Sequence, residues 1–328
     1  MKHKLNCISL FMLVFLFSCN SQPIDNSRPL KAPKGYWNET FLKISYGLGM
    51  LDLINTTPEI PIDIQEIKNI EYKKIDTLSL QLDVYKRKDL SVPAPVLIFI
   101  HGGAWRTGKR ADYLPYLIDY ARKGFVTVTI SYRLVNVAPF PAALLDVNCA
   151  IKWIKKHAEA YGIDANKIVL VGGSAGGHLS LMAGYDANDP SFCHECGIDS
   201  VSTKVSAIID LYGPTDLTTP YAQSTYQVKD FLNATFEENP EIFKAASPKT
   251  YISSDDPPTL IFQGTIDSLV PVSQSDSLDQ WLTKAGVSHE YHRLKGWPHT
   301  MDLSVKVNEY CQFYMDAFLE KYVNASQH

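Results

Sequence analysis

The sequence carries no surplus of positive charge: 31 Lys and Arg stand against 35 Asp and Glu, a formal net charge of −4. That leaves no electrostatic footprint for nucleic acid or an anionic surface, and points to small, roughly neutral substrates. No internal repeat or low-complexity tract breaks the chain. The apolar run from Ile8 to Phe17 is too short to span a bilayer as a mature helix. Cysteine is sparse, six in 328 residues, and the lone Cys193-His194-Glu195-Cys196 lacks the second ligand pair of a zinc site. Nothing in the pattern calls for a metal or a cofactor. What remains is an ordinary globular composition, 45% hydrophobic and 20% charged, which allows one large domain or two small ones.

The N-terminus stands apart. Lys2 and Lys4 precede the apolar run, which ends in Leu16-Phe17-Ser18-Cys19. This resembles the bacterial lipobox, in which a branched and a small residue precede a lipidated cysteine. The resemblance implies a signal peptide over residues 1–18, cleavage before Cys19, and a diacylglyceryl-modified Cys19 holding the protein to a membrane of the bacterial cell envelope. The alternative is a simple secretory signal in which Cys19 is incidental. Residues 19–34 are polar and proline-containing, as suits a tether, and residues 35–328 are expected to form a single domain. In an exported protein Cys193 and Cys196 are expected as a local disulfide or as free thiols. Cys149 and Cys311 sit in helical patterns as small buried residues.

From Glu71 onward short β-rich runs alternate with helical ones. Strands are expected at Glu71–Ile75, Leu78–Tyr85, Val96–Ile100, Val126–Ser131, Ile168–Val171, Val205–Leu211, Thr259–Gln263 and Glu290–Leu294. The central ones are nearly continuous apolar runs, as in Val96-Leu97-Ile98-Phe99-Ile100, because helices would cover both faces of their sheet. The first two alternate, as an antiparallel edge with one wet face does. Helices are expected at Ala143–Ala160 (ended by Gly162), Ala175–Tyr185, Ser273–Ala285 and Leu303–Tyr322. The result is an α/β fold, a mostly parallel central sheet flanked by helices. Gly35–Lys68 reads as an N-terminal helical piece packed on the body. Residues 213–258 break the βα rhythm, and an excursion of that length is expected as a lid over a site.

One constellation carries chemistry. The strand Ile168–Val171 runs into Gly172-Gly173-Ser174-Ala175-Gly176-Gly177 and then a helix: Gly-x-Ser-x-Gly at a strand-to-helix turn. Acyl transfer needs a serine oxygen projecting into a cleft, with the next backbone N–H facing the developing oxyanion, and this turn supplies both. Upstream, His101-Gly102-Gly103-Ala104-Trp105 follows a core strand directly. The amides of Gly103 and Ala104, with that of Ala175, are the expected oxyanion donors, Gly102 coming next. His101 is expected to brace this loop, and Trp105 is either a pocket wall or a core residue. The chain order that accompanies such a turn is nucleophile, acid, base. Asp267, after the strand Thr259–Gln263, is therefore favoured as the acid over Asp216. His299, on the loop before the last helix, is favoured as the base over His178, His289 and His292.

Together these motifs resemble the α/β-hydrolase superfamily, across roughly Leu78 to Tyr322. Within it they resemble the bacterial esterases akin to hormone-sensitive lipase and the carbohydrate-esterase branch of acetyl xylan and feruloyl esterases. Ser131-Tyr132-Arg133-Leu134, Pro139-Phe140-Pro141-Ala142-Ala143 and Gly162-Ile163-Asp164 match as well. The lipase-like group usually has a third glycine where Ala104 stands and an acidic residue where Gly173 stands; Gly173-Ser174-Ala175-Gly176-Gly177-His178-Leu179 looks more like the carbohydrate-esterase branch. The resemblance implies a serine carboxylesterase acting on small acyl esters, acetyl or aryl-acyl, on carbohydrate. Two other readings stay open. The same triad serves an arylformamidase or exopeptidase, and the same fold serves a non-catalytic binding module.

Overall fold

The computed structural model describes residues 30–185, 192, 196–198 and 200–324. Cys19, the apolar leader and Cys193 lie outside these residues. The chain divides into residues 1–30 and 31–328, and every element below belongs to the second unit.

The chain enters through helix α1 (Glu39–Gly47), started by Asn38, whose side chain accepts from the Phe41 amide. The antiparallel pair β1 (Ile64–Ile75) and β2 (Leu78–Arg87) follows. Then come β3 (Ala94–Ile100), α2 (Leu114–Arg122), β4 (Val126–Ile130), α3 (Ala142–Lys156), the short α4 (Ala158–Tyr161), β5 (Ile163–Gly173) and α5 (Ala175–Tyr185). β6 (Ala207–Leu211) leads into three short helices, α6 (Pro220–Ser224), α7 (Tyr226–Leu232) and α8 (Pro240–Ala245). β7 (Thr259–Gly264), α9 (Ser273–Ala285), β8 (His289–Leu294) and α10 (Val305–Leu319) complete the chain.

Eight strands make one sheet in the order β1-β2-β4-β3-β5-β6-β7-β8. β1, β2 and β4 pair antiparallel; every pairing from β4 onward is parallel. Alternate residues of β3 explain its unbroken apolar sequence: Val96, Ile98 and Ile100 join one core, Leu97 and Phe99 the other. Both faces are covered, so neither can be polar. The expected α/β architecture is present.

Four sequence expectations need correction. The N-terminal piece is helical only over α1, which stops at Gly47 just before Gly49 at φ 67°, and β1 begins seven residues before the expected strand. The helix expected over Ala143–Ala160 breaks at His157, whose Nδ1 lies 2.7 Å from the Trp153 carbonyl while its ring stacks on Trp153. Gly162 does terminate the run, at φ 71°. The expected last helix, Leu303–Tyr322, is α10 between a 3₁₀ turn (Met301–Leu303) and a π turn (Glu320–Asn324). Helix α2 is not among the expected helices; it buries Tyr116, Leu117, Tyr120 and Ala121 against the sheet.

Residues 33–54 bind the loop after β8. The Trp297 indole donates to the Pro33 carbonyl at 3.0 Å, the Tyr36 amide to Gly296, the Ile54 amide to Leu303, and the Val305 amide to Asp52. That loop carries His299.

Candidate active site

At the end of β5 the backbone turns through Ser174 at φ 56°, a left-handed conformation that costs a non-glycine residue about 1 kcal/mol or more. Gly176 makes the turn sterically feasible, since a Cβ there would overlap the Ile100 carbonyl of β3. The strain is held from both sides: the Ser174 amide donates to Leu211, and its carbonyl accepts from His178. Ser174 thus tops the sheet, where β5 meets α5, and lines two adjoining cavities of about 500 and 410 Å³.

The loop after β3 brings the second set of groups. Gly103 has φ 105° and Ala104 φ 53°, and both line the larger cavity beside Ser174. Among the described residues neither amide donates to a backbone carbonyl. Ala175, the first residue of α5, lines the smaller cavity. His101 braces the loop as expected: its Nδ1 lies 2.9 Å from the Gly102 carbonyl, its ring stacks on Tyr132, and its own carbonyl accepts from the Tyr132 hydroxyl at 2.8 Å. Burial lowers its pKa, which keeps the ring neutral. Trp105 is at once core and wall. It is buried and stacked on Phe231 of α7 at 4.2 Å, and it lines the smaller cavity.

His299 Nδ1 lies 2.6 Å from Asp267 Oδ2. Asp267 is held in turn by the amides of Leu269 and Val270 on Oδ1, both at 2.9 Å, and by Gln263 Nε2 on Oδ2 at 3.0 Å. With Nδ1 so engaged, Nε2 is the nitrogen left for the cleft, and His299 lines both cavities that Ser174 lines. The two side chains are not hydrogen-bonded to each other, a looseness common before substrate binds. Asp216, the rival acid, is occupied elsewhere: Lys249 Nζ is 2.5 Å from Oδ2 and Thr218 donates to Oδ1. His178 is buried with Nε2 on the Ala246 carbonyl, and burial lowers its pKa to about 4. His289 contacts Asp279, and His292 lies 2.9 Å from the Tyr310 hydroxyl.

A family model described as BD-FAE matches residues 82–282. The chain belongs to the BD-FAE family.

The BD-FAE chain is 38% identical over 230 residues to Esterase LipC of Mycobacterium tuberculosis, and 36% identical over 236 residues to Esterase LipQ of the same organism. These alignments cover 68% and 69% of the chain but 57% and 55% of the relatives, so it spans about half the length of the curated relatives it matches. Among solved structures, a truncated carbohydrate esterase from gut microbiota superposes with a TM-score of 0.68 at 25% identity, covering 78% of this chain and 96% of that one. Esterase 2 of Thermogutta terrifontis, bound to propionate, superposes with a TM-score of 0.67 at 26% identity, covering 82% and 97%. The fold is therefore that of the α/β-hydrolase esterases.

One polar group in the BD-FAE site escaped the sequence reading. Asp302, three residues past His299, is buried and lines the larger cavity. Its Oδ1 accepts from the Tyr212 hydroxyl at 2.5 Å, and its Oδ2 faces the Tyr116 hydroxyl at 3.4 Å. Burial raises its pKa, against the lowering influence of Tyr212. The Tyr212 ring, itself at φ 49°, packs on the His299 ring at 4.6 Å. Nothing local in the sequence marks Asp302, because its partners are Tyr212, just past the end of β6, and Tyr116 of α2.

Cys149 and Cys311 are buried free thiols, and Cys196 is free as well. Among the described residues no cluster of His, Cys, Asp and Glu is arranged to hold a metal.

Proposed function

We propose that this protein is a serine carboxylesterase in which Ser174 is the nucleophile, His299 the general base and Asp267 the acid that orients it. The observation that carries this reading is the 2.6 Å contact of His299 Nδ1 with Asp267, in a loop whose imidazole opens onto the same two cavities as Ser174. Ser174 Oγ attacks the ester carbonyl as its proton passes to His299 Nε2. The amides of Gly103, Ala104 and Ala175 receive the oxyanion. The imidazolium then gives its proton to the departing alkoxide, leaving an acyl-serine. Water, deprotonated by the same nitrogen, releases the carboxylic acid and restores Ser174. The names of the mycobacterial relatives and the ester hydrolases among the structural neighbours support this chemistry.

We assign the substrate to small acyl esters, acetyl or aryl-acyl, carried on carbohydrate. The similar gut carbohydrate esterase supports that class, as do Trp105, Tyr212 and Tyr226 around the two cavities, whose faces suit sugars and phenolic rings. Residues 213–258 act as the lid: Tyr226 and Gln227 of α7 line both cavities, and Arg106 of the oxyanion loop pairs with Asp230 and lies over the Tyr226 ring. Cys19 is the acylated anchor that holds the enzyme to the cell envelope, as its place at the end of the apolar run supports.

The test is hydrolysis of 4-nitrophenyl acetate by the wild type and Ser174→Ala, followed by release assays on acetylated and feruloylated oligosaccharides and on the matching amides. Turnover abolished by Ser174→Ala, with esters preferred to amides, is the expected result. Equal rates for wild type and variant would end the reading, and preference for the amides would replace it with an amidase.

A further inference from the structure

Helix α1 is dressed on the wrong side for a soluble protein. None of its residues is buried, and the large apolar side chains of Phe41 and Ile44, with Trp37 just before its cap and Leu48 at its C-terminal cap, are exposed. Trp37 is 85% exposed, Phe41 48%, Ile44 52% and Leu48 69%. Phe41 and Ile44, three residues apart, share one side of the helix, and Trp37 and Leu48 flank its two ends. Trp37 stacks on Phe41 at 5.8 Å, and Tyr46, Met50 and Leu53 extend the exposed apolar surface. Seven of the large exposed apolar residues thus fall between Trp37 and Leu53, a concentration that water alone does not favour. Lys31 and Lys34 are exposed alongside. An apolar surface edged by long cations is how a helix lies in a membrane interface, its lysine stems reaching to the headgroups.

We infer that α1 docks on a phospholipid bilayer through Trp37, Phe41, Ile44 and Leu48. The inference rests on the reading of Cys19 as an acylated anchor, which supplies the adjacent surface. Cys19 lies 14 residues before Pro33, where the chain is already held to the body by the Trp297 indole. A lipid group on Cys19 would therefore make the bilayer contact of the exposed residues an intramolecular event, which raises its effective concentration. The opposite side of the helix links docking to the enzyme. Leu42 and Lys43 wall a cavity of about 340 Å³ that ends on Leu269 and His299, so a bilayer under α1 lies beside the catalytic cleft.

The experiment uses vesicles of phosphatidylethanolamine and phosphatidylglycerol in which part of the lipid carries bromines on its acyl chains, quenchers of any tryptophan that enters them. The full chain is reconstituted through its own N-terminus, and the full chain carrying Cys19→Ser is mixed with the same vesicles. Mass spectrometry of the N-terminal peptide reports acylation separately. Bromolipid should quench emission in both preparations, with the loss abolished by Trp37→Tyr. Within the Cys19→Ser background, Trp37→Ser, Phe41→Ser and Ile44→Ser combined should lower vesicle partitioning by at least about tenfold while leaving 4-nitrophenyl acetate turnover unchanged. An acylated protein with no Trp37-dependent quenching overturns docking and leaves the anchor standing. Trp37-dependent quenching by a chain found unacylated removes the anchor and leaves docking standing. Doubling of mass in sedimentation without lipid, with Trp37 shielded from acrylamide, shows that a second copy covers this surface and also overturns the inference.

Discussion

The Nδ1 atom of His299 lies 2.6 Å from Oδ2 of Asp267, across 32 residues of sequence. Three further donors fix that carboxylate, so the imidazole orientation is set by the loop after β7. Asp267→Asn is expected to lower kcat for 4-nitrophenyl acetate by about 10³–10⁴-fold with little change in KM, because the amide presents the wrong partner to the ring. Asp216→Asn should leave kcat within a few-fold, since Asp216 is bonded to Lys249 and Thr218. Steady-state kinetics of the two variants side by side checks the assignment.

Ala104 stands at φ 53° where a glycine would sit without strain. Ala104→Gly keeps the amide that the oxyanion needs, so kcat/KM is expected within about threefold of wild type. Relief of the left-handed strain offsets the extra chain entropy of glycine, so Tm should hold or rise slightly. A loss of more than about tenfold in kcat/KM would mean that the methyl group, and not the N–H, is what this position contributes.

Tyr212 donates to the buried Asp302 at 2.5 Å while its ring rests on His299. Tyr212→Phe leaves the ring in place and takes the donor from the carboxylate, which should destabilise the fold by about 1–3 kcal/mol in urea unfolding. Asp302→Asn in that background should recover part of the loss, because a neutral amide is less costly to bury. A double-mutant cycle with zero coupling would show that the two groups act independently.

Asp210 of β6 is fully buried, with Oδ1 on the Gly213 amide at 3.0 Å and, among the described residues, no partner for Oδ2. Burial pushes its pKa up to about 7. A folded value above the unfolded one means the fold favours the protonated acid. That contribution is complete below about pH 4 and is lost as pH rises through about 7. Asp210→Asn imitates the neutral form, so it should raise Tm by roughly 2–8 °C at pH 8 and change it little at pH 4. Thermal scans across pH 4–8 that move in parallel for both proteins would contradict this.

The central strands and the place of Ser174 at a strand-to-helix turn could be read from sequence because they depend on local rules: apolar runs for doubly covered strands, and glycines where the backbone must turn. His299 and Asp267 could be read because each follows a recognisable strand. Asp302 could not, since its meaning comes from Tyr212 and Tyr116, which lie about 90 and 186 residues away. Helix α2 was hidden because tyrosines suit a strand as well as a helix, and only packing on the sheet decides between them. The exposure around α1 was hidden for the opposite reason: the apolar residues of this segment predict a piece packed on the body, and the structure turns Trp37, Phe41, Ile44 and Leu48 to solvent.

The most direct measurement on the central claim is covalent: incubate the protein with a fluorophosphonate and locate the adduct by peptide mass spectrometry. One stoichiometric adduct on Ser174 is expected, slowed by about 10³-fold or more in His299→Ala. No adduct, or labelling of Ser174 at the same rate without the imidazole, would contradict that claim.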